Sequence, residues 1–223
     1  KEADFKETSK IKENSLTNYY LSMPRIIRKR DDEYLKFVEE ILEYFDGVLV
    51  KNIESLCFLH SIDYKGAIIT DSSVYNWNRQ ALMYLNEFRN EYTYPLELTL
   101  QENNNLRDTN GEYIVYGRTP MMVSANCIRK TTDTCTHNIN GFEQSLTDRY
   151  RKELPVFTNC IHCYNEIFNA ISTSCHKELS PLLKNGFRKF RLNFTNEDAG
   201  LTRRIIEYYN NVLYQPDLNG EFP

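Results

Sequence analysis

An alternation of short apolar runs with longer amphipathic segments is the feature of this chain that most constrains its fold. The runs VLV (48–50) and AIIT (67–70) have the length and the β-branched content of buried strands. Between them, residues 52–66 space their apolar side chains as a helix does, with Asn52 as a cap at the start and Gly66 after the end. Strand, helix and strand in this order form the βα unit of a parallel sheet. The sequence therefore predicts an α/β fold.

The same alternation extends over most of the chain. Further strands are predicted at 19–23, 94–100, 112–117 and 187–195. Further helices are predicted at 31–47, 76–90 and 196–214. A closed (β/α)₈ barrel needs eight strands and about 250 residues, whereas this chain of 223 residues has six predicted strands, the first of them almost at its start. We therefore predict the C-terminal portion of a TIM-like (β/α) barrel, with an open α/β sheet as the alternative, and expect the parent chain to continue upstream.

The barrel prediction sets the strand order and the domain organisation. The strands expected to be parallel neighbours, in this order, are 48–50, 67–70, 94–99 and 112–117. Residues 1–18 are a polar lead-in, and residues 19–223 form the partial barrel domain. A cysteine-rich, metal-binding excursion interrupts this domain at about 118–186, with a short helix predicted at 163–171. Four of the six cysteines fall inside its first 46 residues.

Composition restricts the compartment and the partners. No apolar run approaches the ~20 residues of a membrane span, and the polar opening residues lack the apolar core of a signal peptide. The sequence therefore predicts a cytoplasmic protein, in which reduced cysteines serve metal binding or catalysis rather than disulfides. Because the formal net charge is −4, binding of nucleic acid would need a local basic patch. The candidates, for which ordinary solvated charge is the alternative, are Arg129, Lys130, Arg149, Arg151 and Lys152.

Four of the cysteines have the spacing of metal ligands. Cys127, Cys135, Cys160 and Cys163 form the pattern C-x7-C-x24-C-x2-C. Two close pairs separated by a longer loop suit four-thiolate coordination, because each pair supplies adjacent corners of the site. Zinc and an iron–sulfur cluster both accept four thiolates, so the spacing leaves the metal open. The alternative is a buried small apolar side chain, which we predict for Cys57 on its apolar helix face.

Other candidates for chemistry are few. Arg118 follows the strand at 112–117, at the strand end where the active sites of barrels lie, although a surface turn explains it equally well. His137 and His162 lie near the ligand cysteines and could orient or replace one of them; we expect solvated side chains that orient the ligands. Glu97 with Asp148 is a generic carboxylate pair for acid–base chemistry. No sequence context indicates a hydrolytic serine.

Three segments, in order, resemble the collagenase-like peptidase family U, number thirty-two, and within it the long clostridial-type members. They are VYGRTPMMVSANCIRKTTDTC (115–135), LTDRYRKELPV (146–156) and NCIHCYNEIFN (159–169). The resemblance extends from about residue 19 to residue 213. It is most specific at the four cysteines and at the Asp148–Arg149 pair.

The resemblance implies a TIM-like barrel that holds a 4Fe–4S cluster, and an RNA-modifying activity. Characterised relatives hydroxylate a tRNA wobble uridine, a ribosomal cytidine or a ubiquinone precursor without oxygen, and the RNA-directed ones use prephenate as the hydroxyl donor. Arg118 or Arg149 would bind a carboxylate of that donor through the guanidinium fork, with Asp148 as a further candidate substrate residue. A collagenase-like hydrolase and a zinc-stapled binding module are the alternatives. The implied cluster ligands are Cys127, Cys135, Cys160 and Cys163.

Overall fold

The computed structural model describes residues 17–28, 32–106, 108–135, 141–214 and 222–223. The chain forms two compact units, Lys1–Arg107 and Asp108–Pro223. Helices and strands alternate through the first unit, and the second combines helices with two sheets. The predicted α/β class is therefore confirmed.

A four-stranded parallel sheet is the centre of the first unit. Its strands, which pair in chain order, are β1 (Tyr20–Ser22), β2 (Gly47–Val50), β3 (Ala67–Thr70) and β4 (Glu91–Tyr92). A helix follows each strand. The helices after β1, β2 and β3 return the chain to the end of the sheet at which the next strand begins, as parallel pairing requires. These helices are α1 (Asp32–Ile41), α2 (Ile53–Ser61), α3 (Arg79–Leu85) and α4 (Leu100–Asn105). The βα alternation predicted for this part of the chain is confirmed.

Apolar side chains from the sheet and the helices form the core of this unit. Val48 and Val50 of β2 pack in one cluster with Leu56 and Leu59 of α2. The predicted cap of α2 is confirmed, because the Ser55 amide donates to the side-chain oxygen of Asn52 at 2.7 Å. The Asn52 Nδ2 also donates to the carbonyl oxygens of residues 24 and 25 at 2.9 and 3.1 Å. This one side chain therefore starts the helix and anchors the segment that follows β1.

Three predictions for this unit are wrong. The strand predicted at 94–100 is absent from the described residues, because a capping box between Thr99 and Glu102 begins α4 at Leu100. The helix predicted at 76–90 is shorter, since the Asn78 side chain caps it through the Ala81 amide at 2.9 Å. Cys57 lies on the exposed side of α2 rather than in the core.

The second unit contains a three-stranded sheet, of which one strand comes from the start of the unit and two come from its later part. Its strands are β5 (Glu112–Gly117), β10 (Thr173–Ser174) and β11 (Lys189–Asn193). β5 lies between the other two, parallel to β11 and antiparallel to β10. The helices around β11 are α6 (Leu179–Lys184) and α7 (Ala199–Tyr214). The strand predicted at 112–117 is confirmed. Its expected place beside the 94–99 strand, as the last of four parallel neighbours, is wrong, because its described partners are β10 and β11.

The excursion forms a four-stranded antiparallel sheet. Its strands are β6 (Pro120–Ser124), β7 (Gly141–Thr147), β8 (Glu153–Asn159) and β9 (Tyr164–Phe168), in the order β6-β9-β8-β7. A short helix, α5 (Ile128–Thr131), follows β6. The helix predicted at 163–171 is wrong, because the chain is strand β9 there, with Ile167 buried and Ile171 exposed after the strand has ended.

Only two residues separate the two sheets of this unit. β5 ends at Gly117, and β6 begins at Pro120. Gly117 has a φ of +143°, and a Cβ there would lie 2.4 Å from the carbonyl oxygen of Asn193 in β11. Glycine is therefore required where β5 and β11 approach each other, immediately before Arg118.

The helices that the structure describes are too short or too polar to cross a membrane. The longest of them, α7, has 16 residues.

Candidate functional site

The turn between β8 and β9 carries two of the predicted ligands. This cysteine turn, residues 160–163, follows Asn159, whose side-chain oxygen accepts the His162 amide at 2.9 Å. Cys163 takes a left-handed φ of 51°, and its thiol donates to the carbonyl oxygen of Cys160 at 3.7 Å. Cys160 is buried and Cys163 is exposed. The turn therefore holds two thiols close together, one shielded from water and one open to it.

Cys127 lies at the same end of the antiparallel sheet as the cysteine turn. Ser124, the last residue of β6, is in register with Asn165 of β9. The Asn165 Nδ2 donates to the Asn126 carbonyl oxygen at 3.0 Å. Because Asn126 adjoins Cys127 and Asn165 is two residues from Cys163, this pairing brings the two cysteine-bearing segments to one end of the sheet.

Asn165 is the residue that connects these segments. It is 0% exposed, and its side-chain oxygen accepts the hydroxyl of Thr158 in β8 at 3.0 Å. Its amide therefore links β8, β9 and the segment before Cys127. A buried amide with both groups hydrogen-bonded fixes one geometry, because any shift would leave a polar group without a partner.

The segment after Cys127 folds back along α5. The Thr131 amide donates to the Cys127 carbonyl oxygen at 3.1 Å, and the Thr134 amide donates to that of Arg129 at 2.9 Å. These bonds hold Thr134, and with it the half-buried Cys135, to a helix that begins next to Cys127. Arg129 is itself buried, which places a cation in the interior near the cysteines.

The described structure leaves the metal site a prediction. All four candidate cysteines lie in described ranges, and within those ranges no three Cys, His, Asp or Glu side chains are arranged to hold a metal ion. None of the six cysteines forms a disulfide. The donor chemistry itself suits a soft metal or a cluster, because four thiols are offered and two of them are buried.

The remaining cysteine and histidine candidates have other positions. His162 is only 2% exposed, so the prediction of a solvated side chain is wrong, whereas His137 lies outside the described residues. Cys175 follows β10, and its amide donates to the Val115 carbonyl oxygen at 2.8 Å. Burial raises the pKa of the Cys175 thiol, and the Glu178 carboxylate raises it further. Both effects disfavour the thiolate form of Cys175.

A second cluster surrounds Arg118, directly after β5. The Arg118 Nε donates to the Asn196 side-chain oxygen at 3.0 Å, and Nη1 donates to the Asn169 carbonyl oxygen at 3.0 Å and to that of Ala170. These acceptors are neutral, and among the described residues Arg118 forms no ion pair. Its Nη2 group therefore has no hydrogen-bond partner among the described residues and can donate to an anionic ligand.

Arg118 lines a cavity of about 360 Å³. Side chains of the β7–β8 hairpin form much of the wall, including Gln144, Ser145 and Glu153. The buried side-chain oxygen of Gln144 has no hydrogen-bond partner among the described residues. The cavity wall thus carries one cation, Arg118, and one acid, Glu153, and such a lining suits a small polar ligand.

Glu197 holds the segment that positions Arg118. Its carboxylate accepts the Tyr116 hydroxyl at 2.9 Å and the Thr195 amide at 2.6 Å. Burial alone would raise the pKa of the Glu197 carboxyl, but hydrogen bonds from the Thr195 amide, from its own amide and from Tyr116, with the charge of Arg118, outweigh it and lower that pKa. The ionised carboxylate therefore fixes the loop from which Asn196 reaches Arg118. No sequence pattern identified Glu197 or Asn196.

Asp148 and Arg149 lie at the tip of the β7–β8 hairpin. The Asp148 carboxylate accepts the amides of Tyr150 and Lys152 at 2.7 and 2.8 Å, so it shapes the turn and is poorly placed for acid–base chemistry. Arg149 is exposed and lies over the Tyr150 ring, with its Cζ 4.7 Å from the ring centroid. Neither residue lines the Arg118 cavity. Glu97, the other predicted carboxylate, belongs to the first unit.

Comparison with known proteins adds no family. Set against models of protein families, curated proteins and solved structures, the chain matches none of them. The resemblance to the collagenase-like peptidase family therefore stays a prediction that rests on the three quoted motifs.

Proposed function

We propose that this chain belongs to a cytoplasmic iron–sulfur protein of the collagenase-like peptidase family, which in its parent form hydroxylates an RNA nucleobase without oxygen. The observation that carries the proposal is the pairing of β6 with β9, which brings Cys127 and the cysteine turn to one end of a sheet. The residues proposed to hold a 4Fe–4S cluster are Cys127, Cys135, Cys160 and Cys163.

The surroundings of these cysteines support a cluster. Cys127 and Cys160 are each 8% exposed, and limited access of water protects cluster sulfides. The buried Arg129, two residues after Cys127, places a positive charge in the same segment as a proposed ligand. When bound, the cluster would supply one-electron chemistry. A structural zinc ion on the same thiolates is the alternative.

The Arg118 cavity is the proposed site of the hydroxyl donor. The free half of the guanidinium would bind a carboxylate of a small donor such as prephenate. Glu197 and Asn196 would hold Arg118 in place while the donor binds.

The parallel pairings support the C-terminal portion of a TIM-like barrel. In the first unit β1 to β4 are neighbours in chain order, the winding that a (β/α) barrel has. In the second unit β5 and β11 are parallel and helices flank β11. Barrel closure would need upstream strands, so we propose that the parent chain supplies them.

Anaerobic purification of the chain tests the proposal directly. We expect a brown protein with iron and sulfide that bleaches in air. Cys160→Ser should lose the colour, because a serine hydroxyl is harder and far less acidic than a thiol, whereas Cys57→Ser, on an exposed helix face, should keep it. In cells that lack the parent gene one RNA nucleoside should lose the mass of one oxygen, and Cys160→Ser should fail to restore it. A colourless, zinc-loaded protein that restores the modification refutes the cluster mechanism.

One observation favours the rival hydrolase. The Ser174 Oγ lies 2.9 Å from the His176 Nδ1, the spacing of a nucleophile and its base. However, the same Oγ is 2.8 Å from the Tyr209 hydroxyl, and the Phe222 ring stacks on the His176 imidazole at 4.9 Å. The pair is therefore better suited to tying β10 to α7. Peptidase activity that Ser174→Ala abolishes would favour the hydrolase.

A further inference from the structure

The tip of the β7–β8 hairpin, residues 148–152, concentrates positive charge in a chain whose net charge is −4. Arg149, Arg151 and Lys152 are cations and all are exposed. Two acids adjoin them, but the Asp148 carboxylate is bound to backbone amides of the turn and Glu153 lines the Arg118 cavity. The tip therefore presents mainly cations to its surroundings.

An exposed aromatic ring stands among these cations. Tyr150 is 68% exposed, and the Arg149 guanidinium lies over its ring at 4.7 Å. A cation over one face restrains the ring and leaves its other face open for stacking. An open aromatic ring among cations is the combination by which proteins bind single-stranded nucleic acid.

The backbone of the tip is rigid before any ligand binds. The Asp148 amide donates to the Lys152 carbonyl oxygen and the Arg151 amide donates to that of Asp148, each at 3.0 Å. Arg151 takes a left-handed φ of 60°, a conformation that non-glycine residues adopt only when the surroundings fix it. The backbone of the tip therefore already has a defined turn conformation, and the ordering that remains on binding is that of the exposed side chains.

We propose that this hairpin tip binds single-stranded RNA, with phosphates on Arg149, Arg151 and Lys152 and an unpaired base stacked on Tyr150. The choice of RNA rests on the proposed function. β8 leads from the tip at Glu153, past the cavity at Pro155, to Asn159 beside the cysteine turn. Its seven residues span about 23 Å, so one strand links the RNA contact to both other candidate sites.

Salt-dependent binding of an oligouridylate of about twelve nucleotides to the full chain tests the inference. Three phosphate contacts on a single strand predict a slope of about −2 in log affinity against log salt, which is roughly a 20-fold loss between about 50 and 200 mM salt. The variant Arg149→Gln, Arg151→Gln, Lys152→Gln should lose this slope. A matched control makes the same charge change at three exposed cations elsewhere in the unit, Lys177→Gln, Lys184→Gln and Arg203→Gln, and should keep it.

The ring is tested by two substitutions at one position. Tyr150→Ala should weaken binding about fivefold or more, because a stacked base is lost, whereas Tyr150→Phe keeps the ring and should bind as the unchanged chain does. If Tyr150→Ala and Tyr150→Phe bind RNA equally well, and polyglutamate competes as well as RNA does, then the tip binds an acidic protein. That result would overturn the inference. A tip variant that binds RNA as tightly as its matched control also overturns it.

Failure of the inference and failure of the proposed function give different results. A colourless chain that binds RNA through the tip refutes the cluster and leaves the tip assignment standing. A brown, hydroxylating chain whose tip variant binds RNA normally refutes the tip assignment alone. Cys160→Ser should still bind the oligouridylate, since the turn it alters lies at the opposite end of β8.

Discussion

The parallel sheet β1–β4 and the antiparallel sheet β6–β9 differ in the residues that are buried at their centres, although Thr70 is buried in the first and Val156 in the second. In the first, Val48 and Val50 at the centre of β2 are buried among other apolar side chains. In the second, Asn165 and Thr158 are buried and hydrogen-bonded to each other across two strands. Apolar burial is non-directional and tolerates small shifts, whereas a buried amide fixes the atoms around it. The comparison suggests that the first sheet supplies stability and the second supplies geometry.

Leu59→Ala should have the largest effect and should be confined to stability. Leu59 is fully buried in the cluster between α2 and the parallel sheet, so its truncation leaves a cavity and costs about 3 kcal/mol. Hydrogen exchange followed by mass spectrometry should show the loss in segments 47–50 and 67–70. Ile53→Ala on the same helix is the control, because Ile53 is half exposed. An equal loss in segment 153–168 would break the comparison.

Asn165→Ala should have a smaller effect on stability and a larger one on the site. It leaves Thr158 and the Asn126 carbonyl oxygen without their partner, at a cost of about 2 kcal/mol. Iron per chain should fall with it, because this amide holds Cys127 beside the cysteine turn. Asn211→Ala, at an exposed position of α7, should change neither quantity. Full iron content in Asn165→Ala would mean that the polar core does not set the site.

Glu197→Gln should have the smallest effect, and that effect should depend on pH. The pKa of Glu197 is lower in the folded chain than its ordinary value, so its ionised form contributes stability that is present above the unfolded pKa, near 4.3, and is lost as the pH falls through the folded pKa. At neutral pH the variant should therefore be about 1 kcal/mol less stable in urea titrations. The difference between the two proteins should shrink below about pH 4. A difference that does not change with pH would mean that the carboxylate charge is irrelevant to the loop.

The sequence predicted elements where one local signal dominates. The strands at 48–50 and 67–70 are short β-branched runs, and the Asn52 cap depends on a residue three positions away. The prediction at 94–100 was wrong because the helix-capping interaction of Thr99 with Glu102 prevailed over an apolar alternation. At 163–171 the spacing of Ile167 and Ile171 imitated a helix, whereas pairing with β6 and β8 makes a strand.

The candidate site was predicted only where residue type alone is informative. Cysteine spacing and an arginine after a strand identified Cys127, the cysteine turn and Arg118 as candidates. Asn165 and Glu197 escaped notice, because single polar residues have no periodicity and their roles depend on partners 39 and 81 positions away. Such pairings are set by tertiary contacts, which no local pattern encodes.

The Arg118 contacts also have an evolutionary consequence. Arg118 lies where the chain leaves the three-stranded sheet, and it donates to the carbonyl oxygens of Asn169 and Ala170, where the chain comes back. The Thr119 and Thr173 hydroxyl oxygens lie 3.4 Å apart across the same neck. A segment whose two ends meet can be gained, lost or exchanged without disturbing the fold that carries it. The antiparallel sheet therefore joins the rest of its unit at a single neck, so a change in its length or sequence need not disturb β5, β10 and β11.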